Sequence, residues 1–314
     1  ASDVYKRQGC NNMGLFKRKQ VSRFYILRND DLVVYINNQG AELMSVKSVK
    51  NKTEYIWNGD PDYWNRRSPL LFPIVGELNG QVYRYKGREY RMPRHGFARN
   101  MLFSKSVETE DQIWFALDSN EETKKMYPFD FHLAVRYRLR GKILEVRWVV
   151  TNRDSEPMLF SIGGHPAFRC PLDKSHLQTD YYIGFDMEKQ ENPKYHSLSR
   201  RGLYEAKEYE LPLEQGLYRF NRETFRKDTM IFERQTTRVY LMRPDKRPYV
   251  TVTFAAPLFG VWSPPGKQAP FVCIEPWYGR CDREGFSGEL DEKDWIQRLQ
   301  PGERFEAAYF VEFS

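Results

Sequence analysis

Apolar and polar residues alternate with a period of two along much of the chain. Leu133, Val135, Tyr137 and Leu139 interleave with Ala134, Arg136, Arg138 and Arg140, and after Gly141 the apolar set resumes at Leu144, Val146, Trp148 and Val150. Successive side chains on a strand point to opposite faces, so this stretch predicts a half-buried β-hairpin with arginines on its wet face. Similar runs occur at Leu32 to Ile36, Met158 to Ile162, Val239 to Met242, Val250 to Phe254 and Ala307 to Phe313. Turn-forming sequences such as Pro244-Asp245 and Pro264-Pro265-Gly266 separate them. A further hairpin is expected around Gly87, and the polar stretch Glu208 to Gly216 reads as a surface loop or short helix. Amphipathic helical patterns are nearly absent.

Consecutive antiparallel strands over the whole length require two packed sheets to bury both sets of apolar faces, which predicts an all-β fold, a large antiparallel β-sandwich. No short repeat suggests a propeller and no linker divides the chain, so residues 13–314 are expected to form one domain. Residues 1–12 lack the apolar core of a signal peptide and precede Met13; they read as a non-native or disordered leader. The sequence after Met13 lacks the Ser or Thr of a myristoylation signal.

The formal net charge of +7 is spread along the chain apart from Lys17, Arg18 and Lys19, which argues against a nucleic-acid footprint and leaves small anionic ligands compatible. The four cysteines, Cys10, Cys170, Cys273 and Cys281, are too scattered for a disulfide framework, and no apolar run is long enough to span a bilayer. A cytoplasmic location without membrane attachment is the expectation.

Three segments place ionisable groups among Gly, Pro and aromatic residues, as a shaped polar cleft needs. They are Pro93 to Arg99, Gly163 to Phe168 and Cys273 to Trp277. His165 follows a strand-like run and two glycines that permit close approach, and Pro166 stiffens the exit. A histidine there suits proton donation near neutral pH; a buried, hydrogen-bonded structural histidine is the alternative that the residues leave open. Glu275 sits in the apolar run Pro270 to Ile274, where partial desolvation raises a carboxyl pKa towards a general-base range, against a solvated edge-strand glutamate. His95 and Arg99 offer donors to hydroxyls or an anion, or are ordinary surface charges. Among Trp64, Trp262, Trp277 and Tyr278, core packing is expected for most, with Trp262, next to two prolines, the preferred ligand contact. No pair among His95, His165, Cys170 and Cys273 has a close metal-ligand spacing, so no metal is expected. Phosphate-cradling Gly-rich and GxSxG motifs are also absent.

In order along the chain, Gly40-Ala41-Glu42-Leu43, Leu71-Phe72-Pro73-Ile74-Val75-Gly76, His95-Gly96-Phe97-Ala98-Arg99, Gly163-Gly164-His165-Pro166-Ala167-Phe168 and Cys273-Ile274-Glu275-Pro276-Trp277 resemble the aldose 1-epimerase family, its LacX-like branch above all. The resemblance runs from about residue 24 to the C-terminus. It implies a galactose mutarotase-like supersandwich, with Glu275 matching the base, His165 the acid, and His95 and Asp228 substrate-binding positions. The implied activity is cofactor-independent interconversion of aldohexose anomers. A non-catalytic carbohydrate-binding protein and a hexose-6-phosphate mutarotase are the alternatives, so the expected ligand is a monosaccharide or sugar phosphate. One departure stands out: Glu77 follows the glycine where many relatives carry arginine, and Arg66 or Arg67 is expected to compensate at the substrate.

Overall fold

The computed structural model describes residues 21–187 and 191–314, so the leader expectation for residues 1–12 lies outside the described residues. Two large antiparallel sheets dominate. The nine-stranded sheet runs, edge to edge, through Leu217–Arg219, Tyr182–Phe185, Arg238–Met242, Pro248–Phe254, Arg304–Phe313, Ile143–Asn152, Phe131–Arg140, Gln112–Asp118 and Ser104–Glu108. The eight-stranded sheet runs through Tyr204–Glu210, Lys194–Leu198, Met230–Glu233, Leu258–Trp262, Phe271–Tyr278, Ile162–Gly164 and Leu70–Leu71, and Ala167–Arg169 also pairs with Phe271–Tyr278. A three-stranded sheet over Phe24–Ser48, the hairpin of Val82–Tyr85 with Arg88–Arg91, and the long-range pair of Met158–Phe160 with Gln297–Leu299 complete the strands.

The period-two reading of residues 133–150 matches the structure. Phe131–Arg140 pairs with Ile143–Asn152 about the Gly141 turn, burying Leu133, Val135, Tyr137, Leu139, Leu144, Val146, Trp148 and Val150. These residues meet Val272, Ile274, Val261 and Phe232 of the other sheet in one continuous core, so the architecture is the expected β-sandwich. Phe185 against Phe232 and Phe254 against Phe259, with ring centroids 5.4 and 5.2 Å apart, are contacts across that interface.

Local differences have physical reasons. The run Met158 to Ile162 is split: Met158–Phe160 pairs with Gln297–Leu299, whereas Ile162–Gly164 enters the eight-stranded sheet. Glu208 to Gly216 is not wholly loop, because Glu208 and Glu210 pair with His196 and Lys194 at a solvated sheet edge. The one α-helix among the described residues, Glu121–Met126, is capped by Asn120 and Thr123. Among the described residues, no helix is long and apolar enough to cross a membrane.

Candidate active site

The strand Phe271–Tyr278 is buried on both faces. Val272 and Ile274 point into the inter-sheet core, while the alternate residues Cys273, Glu275 and Trp277 point the other way, Cys273 into a small apolar cluster and Glu275 and Trp277 into a cleft of about 150 Å³. The neighbouring strands supply the rest of the floor. Gly163 pairs with Trp277 and Ala167 with Cys273; His165 and Pro166 fall in the break between these two short strands, and the common register on either side brings His165 across from Glu275. The pairing explains their approach: His165 Nε2 lies 3.3 Å from Glu275 Oε2.

Two glycines flank the Trp277 indole and make room for it. A side chain on Gly163 or Gly260 would begin 2.6 Å from that ring. The expectation of close approach at Gly163 therefore holds, with an indole as the approaching group. Trp277 lines the cleft beside Glu275.

Rings enclose His165. Trp64 lies over its face with centroids 4.8 Å apart, and the edges of Trp262 and His95 contact it with centroids 5.5 Å away in each case. The surroundings explain its electrostatics: burial, and then the charge of Arg99, push the imidazole pKa down to about 3. Burial, reinforced by the charge of Asp228, holds the Glu275 carboxyl well above the usual carboxylate range. Only 6% of His165 and 1% of Glu275 is exposed, and neither carboxyl oxygen nor His165 Nδ1 has a hydrogen-bond partner within the protein. Buried polar atoms are ordinarily paired, so this set is poised for a ligand.

His95 and Asp228 both adopt left-handed backbone conformations, with φ of 66° in each case. Such conformations cost energy and persist where neighbours hold them. The His95 backbone N–H donates to the Gly76 carbonyl at 2.9 Å, and the Gly76 N–H donates back to His95 Nδ1 at 3.0 Å. With Nδ1 accepting, neutral His95 carries its proton on Nε2. Burial, and then the His165 ring and Arg99, push its pKa well down, which keeps it neutral. Asp228 Oδ1 accepts from the backbone and hydroxyl of Thr229 at 2.8 and 3.0 Å.

Of the residues expected at the site, His165, Glu275, His95, Asp228, Arg99 and Trp262 all line the cleft; Arg67 does not. Its backbone N–H donates to Glu42 and its guanidinium to the Met44 carbonyl, so it braces the strand edge. Arg66 is likewise engaged elsewhere, donating to the Arg99 carbonyl. The cation beside Glu77 is instead Arg94, whose Nε donates to Glu77 Oε2 at 2.8 Å. Trp64 and Trp277, for which core packing was the expectation, also line the cleft, whereas Tyr278 packs against Phe305. Thr229 and Leu198 were not anticipated; only tertiary pairing brings them here.

One donor set could hold a metal ion: a nitrogen of His165, the sulfur of Cys273 and an oxygen of Glu275 lie within 4.8 Å of one another. Linear spacing hides this set because two different strands supply it.

The profile of the aldose 1-epimerase family matches residues 23–309. The chromosomally encoded protein LacX of Lactococcus lactis subsp. lactis is 32% identical over 295 residues, 91% of this chain and 97% of that protein. A galactose mutarotase related enzyme from Lactobacillus acidophilus superposes with a TM-score of 0.86 at 35% identity, covering 93% of this chain and 97% of the other. A galactose mutarotase-like protein from Lactobacillus casei gives 0.87 at 29% identity, covering 93% and 100%. Over 118 residues, 34% of this chain and 36% of the relative, the sequence is 41% identical to a putative glucose-6-phosphate 1-epimerase of Escherichia coli.

Proposed function

The chain belongs to the aldose 1-epimerase family, and on that premise we propose that it interconverts the α and β anomers of an unphosphorylated aldohexose. The observation that carries this reading is the pair His165 and Glu275, 3.3 Å apart in a desolvated cleft with unpartnered acceptor atoms.

Groups this close titrate as a unit. Burial disfavours a charge on either one, raising the carboxyl and lowering the imidazole, so a proton held by the pair favours Glu275 and can pass to His165 Nε2. Transfer creates the carboxylate and imidazolium that the reaction needs. Glu275 then takes the proton of the anomeric hydroxyl while His165 protonates the ring oxygen, and the bond between ring oxygen and anomeric carbon breaks to give the aldehyde. Rotation about the bond between carbons 1 and 2 presents the other face. Closure reverses both proton transfers, so the cycle balances with protons alone.

His95, neutral with its proton on Nε2, donates to a sugar oxygen, Asp228 accepts from a hydroxyl, and Trp262 offers an apolar wall to the ring. The cleft holds the open chain for reclosure, which supplies the advantage of an intramolecular reaction.

Polarimetry on freshly dissolved α-glucose and α-galactose tests the proposal. Saturable acceleration of the optical change is expected; saturable binding at the spontaneous rate would replace the reading with that of a carbohydrate-binding module. The likeness to the E. coli protein and the presence of Arg94 and Arg99 favour a second reading, a hexose-6-phosphate mutarotase. Against it, Arg94 is engaged by Glu77, and Asp228 and Glu275 add two further acidic groups at the cleft. Faster turnover of glucose 6-phosphate than of glucose would reverse the choice.

A further inference from the structure

Glu77 is 92% buried, lines the cleft, and has one carboxyl oxygen without a use inside the protein. Its Oε2 accepts from Arg94 Nε at 2.8 Å, whereas Oε1 is buried without a partner. The backbone beneath is tied down: Asp282 donates its N–H to the Glu77 carbonyl at 3.0 Å and accepts the Asn79 N–H at 2.9 Å. The other oxygen of Asp282 pairs with Lys293 at 2.6 Å, and both of those side chains are buried. Arg94 is fitted with equal care, since its guanidinium lies against Gly202, whose φ of 77° and lack of a side chain leave the space.

A buried carboxylate oxygen left unpaired is costly, and the group that relieves it is a proton donor. A hydroxyl supplies one; a phosphate supplies further negative charge. Resting on the sugar-site reading above, we propose that Glu77 Oε1 forms a subsite that accepts a hydrogen bond from one hydroxyl of the bound sugar, with Arg94 and the Asp282–Lys293 pair as positioning residues, and that it excludes a phosphate from its corner of the cleft.

Sites built to pair a substrate hydroxyl reject the analogue that lacks it, because their own polar atom is then stranded. The test is equilibrium binding, by calorimetry, of glucose, galactose, their 2-, 3-, 4- and 6-deoxy derivatives and glucose 6-phosphate, to the wild type, Glu77→Ala and Arg94→Gln. For the wild type, removing one particular hydroxyl is expected to weaken binding by about tenfold or more, and Glu77→Ala should abolish that particular penalty while leaving the others. Arg94→Gln, at an exposed side chain that folding tolerates, should shrink the same penalty. Identical deoxysugar profiles in wild type and variants, or glucose 6-phosphate bound more tightly than glucose by the wild type alone, would overturn the subsite. Because binding is the readout, an absence of catalysis in polarimetry sinks the mutarotase reading without touching this result.

Discussion

Glu145 and Glu275 are the same residue in the same kind of element, an antiparallel strand near the middle of a large sheet, yet their surroundings drive them in opposite directions. Glu145 lies on the wet face of the nine-stranded sheet between Arg136 and Arg147, which donate to its Oε1 at 2.5 and 2.6 Å. Burial would raise its pKa, but hydrogen bonds from Arg147 and Arg136 outweigh that and hold it below the usual range. Glu275 has no arginine beside it, and burial, reinforced by Asp228, raises it. A satisfied carboxylate is finished chemistry, whereas an unsatisfied one facing a cleft retains the capacity to bind and to exchange a proton.

The comparison breaks most sharply at Glu275. Glu275→Gln should lower the rate of catalysed mutarotation by about 10²- to 10⁴-fold, the range that general acid–base groups contribute, and His165→Gln should fall in the same range. Polarimetry checks both, and residual activity near wild type in either would sink the pairing. Glu145→Gln should leave the rate per folded molecule unchanged and destabilise by about 1–3 kcal/mol, since it loses charged hydrogen bonds to Arg136 and Arg147, of which Arg147 keeps Glu306 as a partner, read by urea unfolding.

The pH dependences have opposite signs. Glu145 has a depressed pKa in the folded state, so its contribution is present above the ordinary carboxyl range and is lost as pH falls through the depressed value. Glu275 has a raised one, so stability declines as pH climbs from the ordinary carboxyl range towards the raised value. Glu275→Gln should therefore raise Tm at neutral pH, on the order of a few degrees, with the gain fading at acid pH. The smallest expected effect is at Arg67: Arg67→Gln should leave KM within about twofold, since its guanidinium serves the Met44 carbonyl. A large rise in KM would show that Arg67 reaches the sugar.

Much of the frame was legible because alternation is a local signal. Residues 133–150 announce their own partner and inward face, and the structure agrees at each apolar position named. The site was legible in composition, not in assembly. Nothing local to Gly163-Gly164-His165 states that it will lie against Cys273-Ile274-Glu275, because that register is fixed by pairing between strands far apart in the chain. The same gap hid the partnership of Glu77 with Arg94 and made Arg67 a reasonable but misplaced choice. Asp228 carried no signal of its own; only the family resemblance singled it out.

The register that sets His165 opposite Glu275 has an evolutionary corollary. Because the proposed base sits in a strand and the proposed acid between two short strands paired with it, inserting or deleting one residue in the Glu275 strand, or between Gly163 and Ala167, would break their alignment. Surface segments such as the one bearing Gly202, by contrast, can change length without separating the two. Descendants of this architecture are free to exchange ligands by redrafting their loops, while the paired strands keep the two side chains together.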